Sequence, residues 1–117
     1  MILQDTNAVI ELLQEKQYEE GRITIMTLIE ILRGIEEERR TEIRELLEES
    51  FRVINIDNEV VKTYCTLHNK LREKGETIPD ADLLIAATSL SHELTLKTAD
   101  KHFERLKEPG LKTIPIQ

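Results

Sequence analysis

Short apolar runs alternate with longer amphipathic segments along the whole chain. The short runs are typical of buried strands in a parallel sheet, whereas the longer segments repeat apolar residues every three or four positions, as one face of a helix does. The predicted strands are 1–3 ("MIL"), 23–25 ("ITI"), 52–56 ("RVINI"), 94–98 ("LTLKT") and 111–116 ("LKTIPI").

The amphipathic segments predict helices between these strands. Their ranges are 8–14, 28–34, 42–50, 59–73, 79–91 and 101–106. The helix at 59–73 has an inner stripe of Val60, Val61, Tyr64, Leu67, His68 and Leu71. Alternating strands and helices predict an α/β fold with a mainly parallel sheet of about five strands and helices on both faces. Residues 1–117 are expected to form a single domain.

Composition narrows the class of protein. Cys65 is the single cysteine, so an internal disulfide is excluded. No apolar run approaches the roughly 20 residues of a membrane span. The start of the chain lacks the basic region and cleavage site of a signal peptide. A cytoplasmic protein is therefore expected.

The charge is unevenly distributed. The net charge is −7, of which residues 1–60 carry −8 and residues 61–117 carry +1. A polyanion such as RNA is repelled by the first half, so nucleic-acid contacts should favour the second half or depend on bound cations. The candidate contact residues there are Lys97, Lys101, Arg105, Lys107 and Lys112.

Four acidic residues follow predicted strands or begin the next helices. They are Asp5, Glu30, Asp82 and Asp100. Ligands of doubly wound sheets bind outside the carboxyl ends of the strands, so these four side chains are expected on one rim.

A structural alternative exists for each of these acids. Asp5 and Asp100 are good N-caps for the helices that follow them. Glu30 fits a capping box with Thr27. Pro79 is expected as the first residue of its helix, which makes Asp82 the fourth. Asp82 is the hardest to explain structurally, because this position is beyond the reach of capping and beside apolar residues.

One functional interpretation, a metal site, covers all four acids. Several carboxylates without a basic partner repel one another, and hard divalent cations such as Mg²⁺ relieve that repulsion through oxygen ligands. Such ions also promote the cleavage of phosphodiesters. A metal ion would therefore explain Asp82.

Four motifs resemble the PIN-domain family, and in particular VapC-type toxins of toxin–antitoxin pairs. They are "ILQDTNAVI", "TLIEILRG", "DLLIAATSLSHELTLKTADKHF" and "LKTIPI", in the family's order over nearly the entire chain. The resemblance implies a three-layer PIN-like fold and an Mg²⁺- or Mn²⁺-dependent ribonuclease. It also implies a homodimer and a small antitoxin protein that covers the acidic pocket.

The resemblance assigns the acidic metal site and its polar neighbours. The acids are Asp5, Glu30, Asp82 and Asp100, and the neighbours are Thr6, Asn7 and Thr98. Asp82 matches the family's motif because it precedes "x-L-I-A-A". Asp80 lies about 200° around the helix from Asp82, so both cannot face one ion.

Two other functions remain as alternatives. One is a catalytically silent binding module on the same fold. The other is a phosphoacceptor receiver domain, in which Asp57 after "RVINI" would be the acceptor. Receivers, however, carry paired acids after the first strand and a lysine after the last one, and this chain has neither.

The histidines and the first-half helices add secondary expectations. His68 is expected in the core, His102 on the surface with possible access to substrate, and His92 near a helix end. Apolar stripes on the first-half helices favour a homodimer; they include Ile35, Ile43, Leu46 and Leu47.

Overall fold

A five-stranded parallel sheet forms the centre of the molecule. The computed structural model describes residues 1–116. The strands are β1 (Ile2–Gln4), β2 (Arg22–Thr24), β3 (Arg52–Ile54), β4 (Thr95–Lys97) and β5 (Thr113–Ile114). They lie in the order β3-β2-β1-β4-β5, and every neighbouring pair is parallel. The predicted sheet is confirmed.

Helices connect the strands in chain order. They are α1 (Thr6–Gln14), α2 (Ile25–Arg33), α3 (Glu37–Ser50), α4 (Asn58–Glu73), α5 (Asp80–Ser91) and a 3-10 helix (Lys101–Leu106). Within residues 1–116, none of them combines the length and apolar character needed to cross a membrane.

Two apolar clusters lie on opposite faces of the sheet. Val9, Leu28 and Leu47 join α1, α2 and α3 on one face. The larger cluster joins α4, α5 and the 3-10 helix, with Leu67 and Phe103 among its buried members. Side chains alternate between the faces of a strand, so both faces need a helical cover. The result is the expected three-layer α/β fold.

The junction of β2 and α2 differs from the prediction. Ile25 was expected in the strand, but it begins the helix, because the hydroxyl of Thr24 accepts a hydrogen bond from the backbone N–H of Thr27 at 3.0 Å. Thr24 is thus the N-cap, and α2 starts three residues before the predicted position 28. The capping box of Thr27 and Glu30 is therefore wrong: Glu30 lies in the second turn.

The inner stripe of α4 is narrower than predicted. Val60, Leu67 and Leu71 are buried, as expected, but Val61 is 50% exposed and His68 is exposed. Val61 and His68 each follow a buried residue by one position, which is about 100° around the helix, so they lie at the exposed border of the face that Val60 and Leu67 bury. The expectation of a core histidine at 68 is wrong.

The strand order excludes the receiver alternative. Receiver domains have the order 2-1-3-4-5, which differs from the order found here. The side chain of Asp57 instead caps α4 by accepting a hydrogen bond from the backbone N–H of Val60 at 2.8 Å, and it also lies 2.9 Å from Nε2 of His92.

The revised start of α2 can be tested by substituting its cap. Thr24→Val keeps the shape but removes the hydroxyl, so it should lower the free energy of unfolding by about 1–2 kcal/mol, as loss of a cap does. Thr24→Ser keeps the hydroxyl and loses one methyl group, for an expected loss below about 1 kcal/mol. Urea denaturation measures both, and a larger loss for the serine variant would contradict this assignment.

Candidate metal centre

The site lies where the strand order of the sheet reverses. β1 pairs with β2 on one side and β4 on the other, and the connections leaving β1 and β4 run in opposite directions. Such a switch point opens a crevice at the carboxyl ends of the two strands. Asp5 directly follows β1, and its backbone N–H donates to the carbonyl of Lys97 at the end of β4, at 3.0 Å. Asp5 is therefore fixed at this crevice.

Asp5 combines the two roles that the sequence left open. Its side chain is buried, with 4% of the residue exposed. One carboxylate oxygen accepts from the backbone N–H of Thr6 at 2.8 Å, which caps α1. The other accepts from the hydroxyl of Thr98 at 2.7 Å. Capping and a place in the acidic site are therefore compatible.

A second threonine connects Glu30 to the same site. The hydroxyl of Thr6 donates to Oε1 of Glu30 at 2.8 Å and lies 3.0 Å from the hydroxyl of Thr27. Thr98, Asp5, Thr6 and Glu30 thus form a continuous polar row from the residue after β4, past the start of α1, to α2. Arg33, on the exposed side of the row, lies 3.8 Å from Glu30.

Asp82 and Asp100 complete the acidic cluster from the other side of the crevice. Asp100 caps the 3-10 helix, with one carboxylate oxygen accepting from the backbone N–H of His102 at 2.9 Å. Asp82 lies at the third position of α5, because Pro79 is the N-cap and not the first helical residue. Side-chain capping is not seen at this helix start within residues 1–116, so Asp82 has no capping role.

The four carboxylates affect one another electrostatically. Burial raises the pKa of Asp5, and the negative charges of Asp100 and Glu30 add to that effect, while the hydrogen bonds from Thr98 and Thr6 oppose it. Burial likewise raises the pKa of Asp82, followed by the charges of Asp100, Asp5 and Glu30. The charged forms are thus disfavoured here, as expected for carboxylates crowded together.

The donor set fits a divalent cation. Asp82, Asp100 and His102 each offer one ligand atom, and these atoms all lie within 4.8 Å of one another. Carboxylate oxygens are the ligands that Mg²⁺ and Mn²⁺ take in proteins, usually together with water. A cation here would stabilise the charged form of Asp82 against the burial and the neighbouring negative charges that raise its pKa.

Asn7 and Asp80 lie close in sequence to the predicted acids. Asn7, predicted as a polar neighbour of the site, is exposed on the first turn of α1. Asp80 faces α4, where it accepts a hydrogen bond from the hydroxyl of Tyr64 at 2.5 Å. Asp80 and Asp82 therefore have different neighbours, as the predicted angle of about 200° between them around the helix requires.

Sequence reasoning underestimated two residues at the site. Thr27 was assigned to a cap, yet its hydroxyl lies beside that of Thr6. His102 was expected on the surface, and its side chain is indeed 47% exposed, but Nδ1 lies 3.4 Å from Asp100 and 3.8 Å from Asp82. In the sequence, the nearness of His102 to Asp100, at the start of one short predicted helix, could have indicated that the histidine lies beside the acids.

Comparison with known proteins agrees with the fold and the motifs. The family model for the PIN domain matches residues 2–109. The chain is 37% identical over 115 residues to Ribonuclease VapC1 of Methanocaldococcus jannaschii, covering 95% of this chain and 85% of that protein.

Solved structures show the same architecture. A chain in the structure of VapBC-1 from nontypeable Haemophilus influenzae matches with a TM-score of 0.84 at 25% identity, with 98% of each chain covered. VapBC-5 of Mycobacterium tuberculosis, a member of the VapBC family of toxin–antitoxin systems, matches in fold with a TM-score of 0.69 at 24% identity, covering 98% of this chain and 96% of that one. The family model and the VapC1 alignment both extend over most of the sequence, and the chain therefore belongs to the PIN-domain family, as a relative of its VapC proteins.

Proposed function

We propose that this protein is a metal-dependent endoribonuclease and the toxin of a VapBC-type toxin–antitoxin pair, cleaving RNA phosphodiesters at a four-carboxylate Mg²⁺ or Mn²⁺ site. The observation that carries the proposal is the convergence of Asp82 and Asp100 at the crevice between β1 and β4. The 37% identity to Ribonuclease VapC1 supports RNA as the substrate.

Asp82 and Asp100 are the proposed direct ligands. Both oxygens of Asp5 and Oε1 of Glu30 already accept hydrogen bonds from Thr98 and Thr6, so we propose that these two acids would reach the ion through water. A divalent ion held by these residues would supply an activated water and would neutralise charge on the phosphate that is cut. No side chain is then needed as the nucleophile.

The protein's own groups hold the site in a fixed geometry. The bonds from Thr6 and Thr98 fix both oxygens of Asp5, and the capping bond fixes Asp100. A helix N-terminus favours anions, and α5 starts beside the acids, so its partial positive charge favours the phosphate. These residues orient the carboxylates before substrate arrives.

The distribution of exposed cations favours one side for RNA. Lys97 is engaged with Glu19 at 2.7 Å and is mostly buried, so it is a poor candidate for phosphate contact. Lys101, Lys107 and Lys112 are exposed. RNA is therefore proposed to approach from the 3-10 helix side, away from the acidic first half of the chain.

We propose two protein partners, an antitoxin and a second copy of this chain. VapBC-1 of nontypeable Haemophilus influenzae, a structural neighbour at 25% identity, supports a small antitoxin as a partner, which would cover the acidic site. Leu46 is 45% and Ile29 is 48% exposed, which supports a homodimer, although Leu47, expected in the same surface stripe, is fully buried in the core. We propose that residues 1–117 act as one domain in the cytoplasm.

The burial of Asp82 and the negative charges around it predict a pH-dependent gain in stability for Asp82→Asn without metal. A carboxyl whose pKa is raised by folding gives stability that is present at low pH and lost as pH rises through the folded pKa. At neutral pH in EDTA, Asp82→Asn should therefore unfold at a higher temperature than the wild type. The gain should disappear as the pH falls below 3.8, the ordinary pKa of the carboxyl.

Added Mg²⁺ provides the complementary measurement of stability. It should raise the melting temperature of the wild type, because an ion that binds only the folded state stabilises it. Asp82→Asn should show little of this shift. Asp80→Asn is the matched control, since it removes an equal charge two residues away and should keep the wild-type shift. A loss of stability in Asp82→Asn, with no Mg²⁺ shift in the wild type, would make Asp82 a structural residue.

Cleavage should require both the metal and the acids. With total cellular RNA as substrate and new 5′ ends mapped by sequencing, EDTA should abolish the cuts and Mn²⁺ should restore them. Asp82→Asn should cut more slowly by on the order of 100-fold or more, as loss of a metal ligand does, whereas Asp80→Asn should cut normally. Metal-dependent binding of RNA without cuts would instead identify a silent binding module.

The homodimer is tested by sedimentation equilibrium. A dimer is expected at tens of micromolar, because apolar side chains are exposed on the first-half helices and burying them favours association. Leu46→Glu should shift the equilibrium towards monomer without unfolding the chain, since this side chain is half exposed. A wild type that remains monomeric at this concentration would contradict the dimer.

A further inference from the structure

His102 lies between the two proposed acidic ligands. Its Nδ1 atom is 3.4 Å from Oδ1 of Asp100 and 3.8 Å from Oδ2 of Asp82. Both separations exceed the usual range of a hydrogen bond, which ends near 3.2 Å. The ring therefore stands beside the carboxylates without being bonded to either of them.

These separations match those of neighbouring ligands around one metal ion. Bonds of about 2.1 Å at right angles place two ligand atoms about 3 Å apart, and wider angles place them about 4 Å apart. The ligand atoms of Asp82, Asp100 and His102 all lie within 4.8 Å of one another. Small side-chain rotations would bring all three onto a common centre.

The backbone places the imidazole close to that centre. The N–H of His102 donates to the carboxylate of Asp100 at 2.9 Å, in the capping turn of the 3-10 helix. The neighbouring Phe103 is 1% exposed and anchors the helix in the core. The histidine is thus attached to a fixed turn, while its ring is about half exposed and can turn towards the ion.

We propose that His102 is a nitrogen ligand of the metal centre and makes it prefer divalent transition metals to Mg²⁺. The proposal rests on the metal centre of the proposed function and adds to it a ligand and a metal preference. Mg²⁺ is a hard cation that takes oxygen ligands, whereas an imidazole nitrogen suits the later first-row metals. A site of two carboxylates and one imidazole should therefore follow the order Co²⁺ over Mn²⁺ over Mg²⁺.

The other two histidines serve as internal comparisons. His92 is engaged with Asp57 at the end of α5. His68 is exposed on α4, where its ring stacks on Tyr64 with centroids 6.0 Å apart. Because His68 lies outside the acidic cluster, His68→Ala is a matched control for His102→Ala.

Calorimetric titration with Co²⁺ alone and with Mg²⁺ alone tests the ligand. The wild type and His68→Ala should bind Co²⁺ at least about tenfold more tightly than Mg²⁺. His102→Ala should lose about tenfold in Co²⁺ affinity and keep its Mg²⁺ affinity within about twofold. The visible spectrum of bound Co²⁺ should also change in His102→Ala, because it reports nitrogen ligation.

Different negative results distinguish an error about His102 as a ligand from an error about the metal centre itself. If His102→Ala keeps the full Co²⁺ preference, or weakens Co²⁺ and Mg²⁺ equally, His102 is not a ligand although the centre exists. Unchanged affinities with slower RNA cleavage would assign the ring to substrate contact, which also overturns the proposal. If neither ion binds the wild type, or if Asp82→Asn does not weaken the binding, the proposed function fails with it.

Discussion

The pairing of β1 with β4 is the constraint on which the site depends. These parallel strands lie side by side although about 90 residues separate them in the chain, and their register aligns Gln4 with Lys97. The register places Asp5 and Thr98 at the same edge, where the threonine hydroxyl donates to the aspartate at 2.7 Å. A slip of β4 by one residue along β1 would turn Thr98 to the opposite face of the sheet and separate its hydroxyl from Asp5.

The site concentrates negative charge that the fold alone does not neutralise. Asp5 is held by hydrogen bonds that offset part of its burial, but burial and like charges still raise its pKa and that of Asp82. Such an arrangement costs stability unless a cation binds, and functional sites often carry this cost. The polar threonines around Asp5 keep the carboxylates oriented without adding a competing positive charge.

The sequence predicted the strands, the layers and the crevice because these depend on apolar periodicity and on the rule for strand ends. The boundary that it missed between β2 and α2 depends on a single hydrogen bond. Thr24 and Thr27 are both able to cap α2, and periodicity does not tell them apart. The narrower stripe of α4 was missed because Val61 and His68 lie three or four positions from Tyr64, as the buried residues do, and this spacing does not show how wide the covered face is. The position of His102 depends on the backbone turn that starts the 3-10 helix after Asp100. The periodicity of apolar residues does not predict such a turn.

The central claim is that Asp82 and Asp100 jointly hold a divalent ion, and a crystal soaked in Mn²⁺ tests it most directly. Anomalous scattering identifies manganese independently of any assumption about the site. The predicted result is a single strong peak within about 2.5 Å of a carboxylate oxygen of each residue. A peak elsewhere on the molecule, or no peak between these two residues at saturating Mn²⁺, would contradict the account.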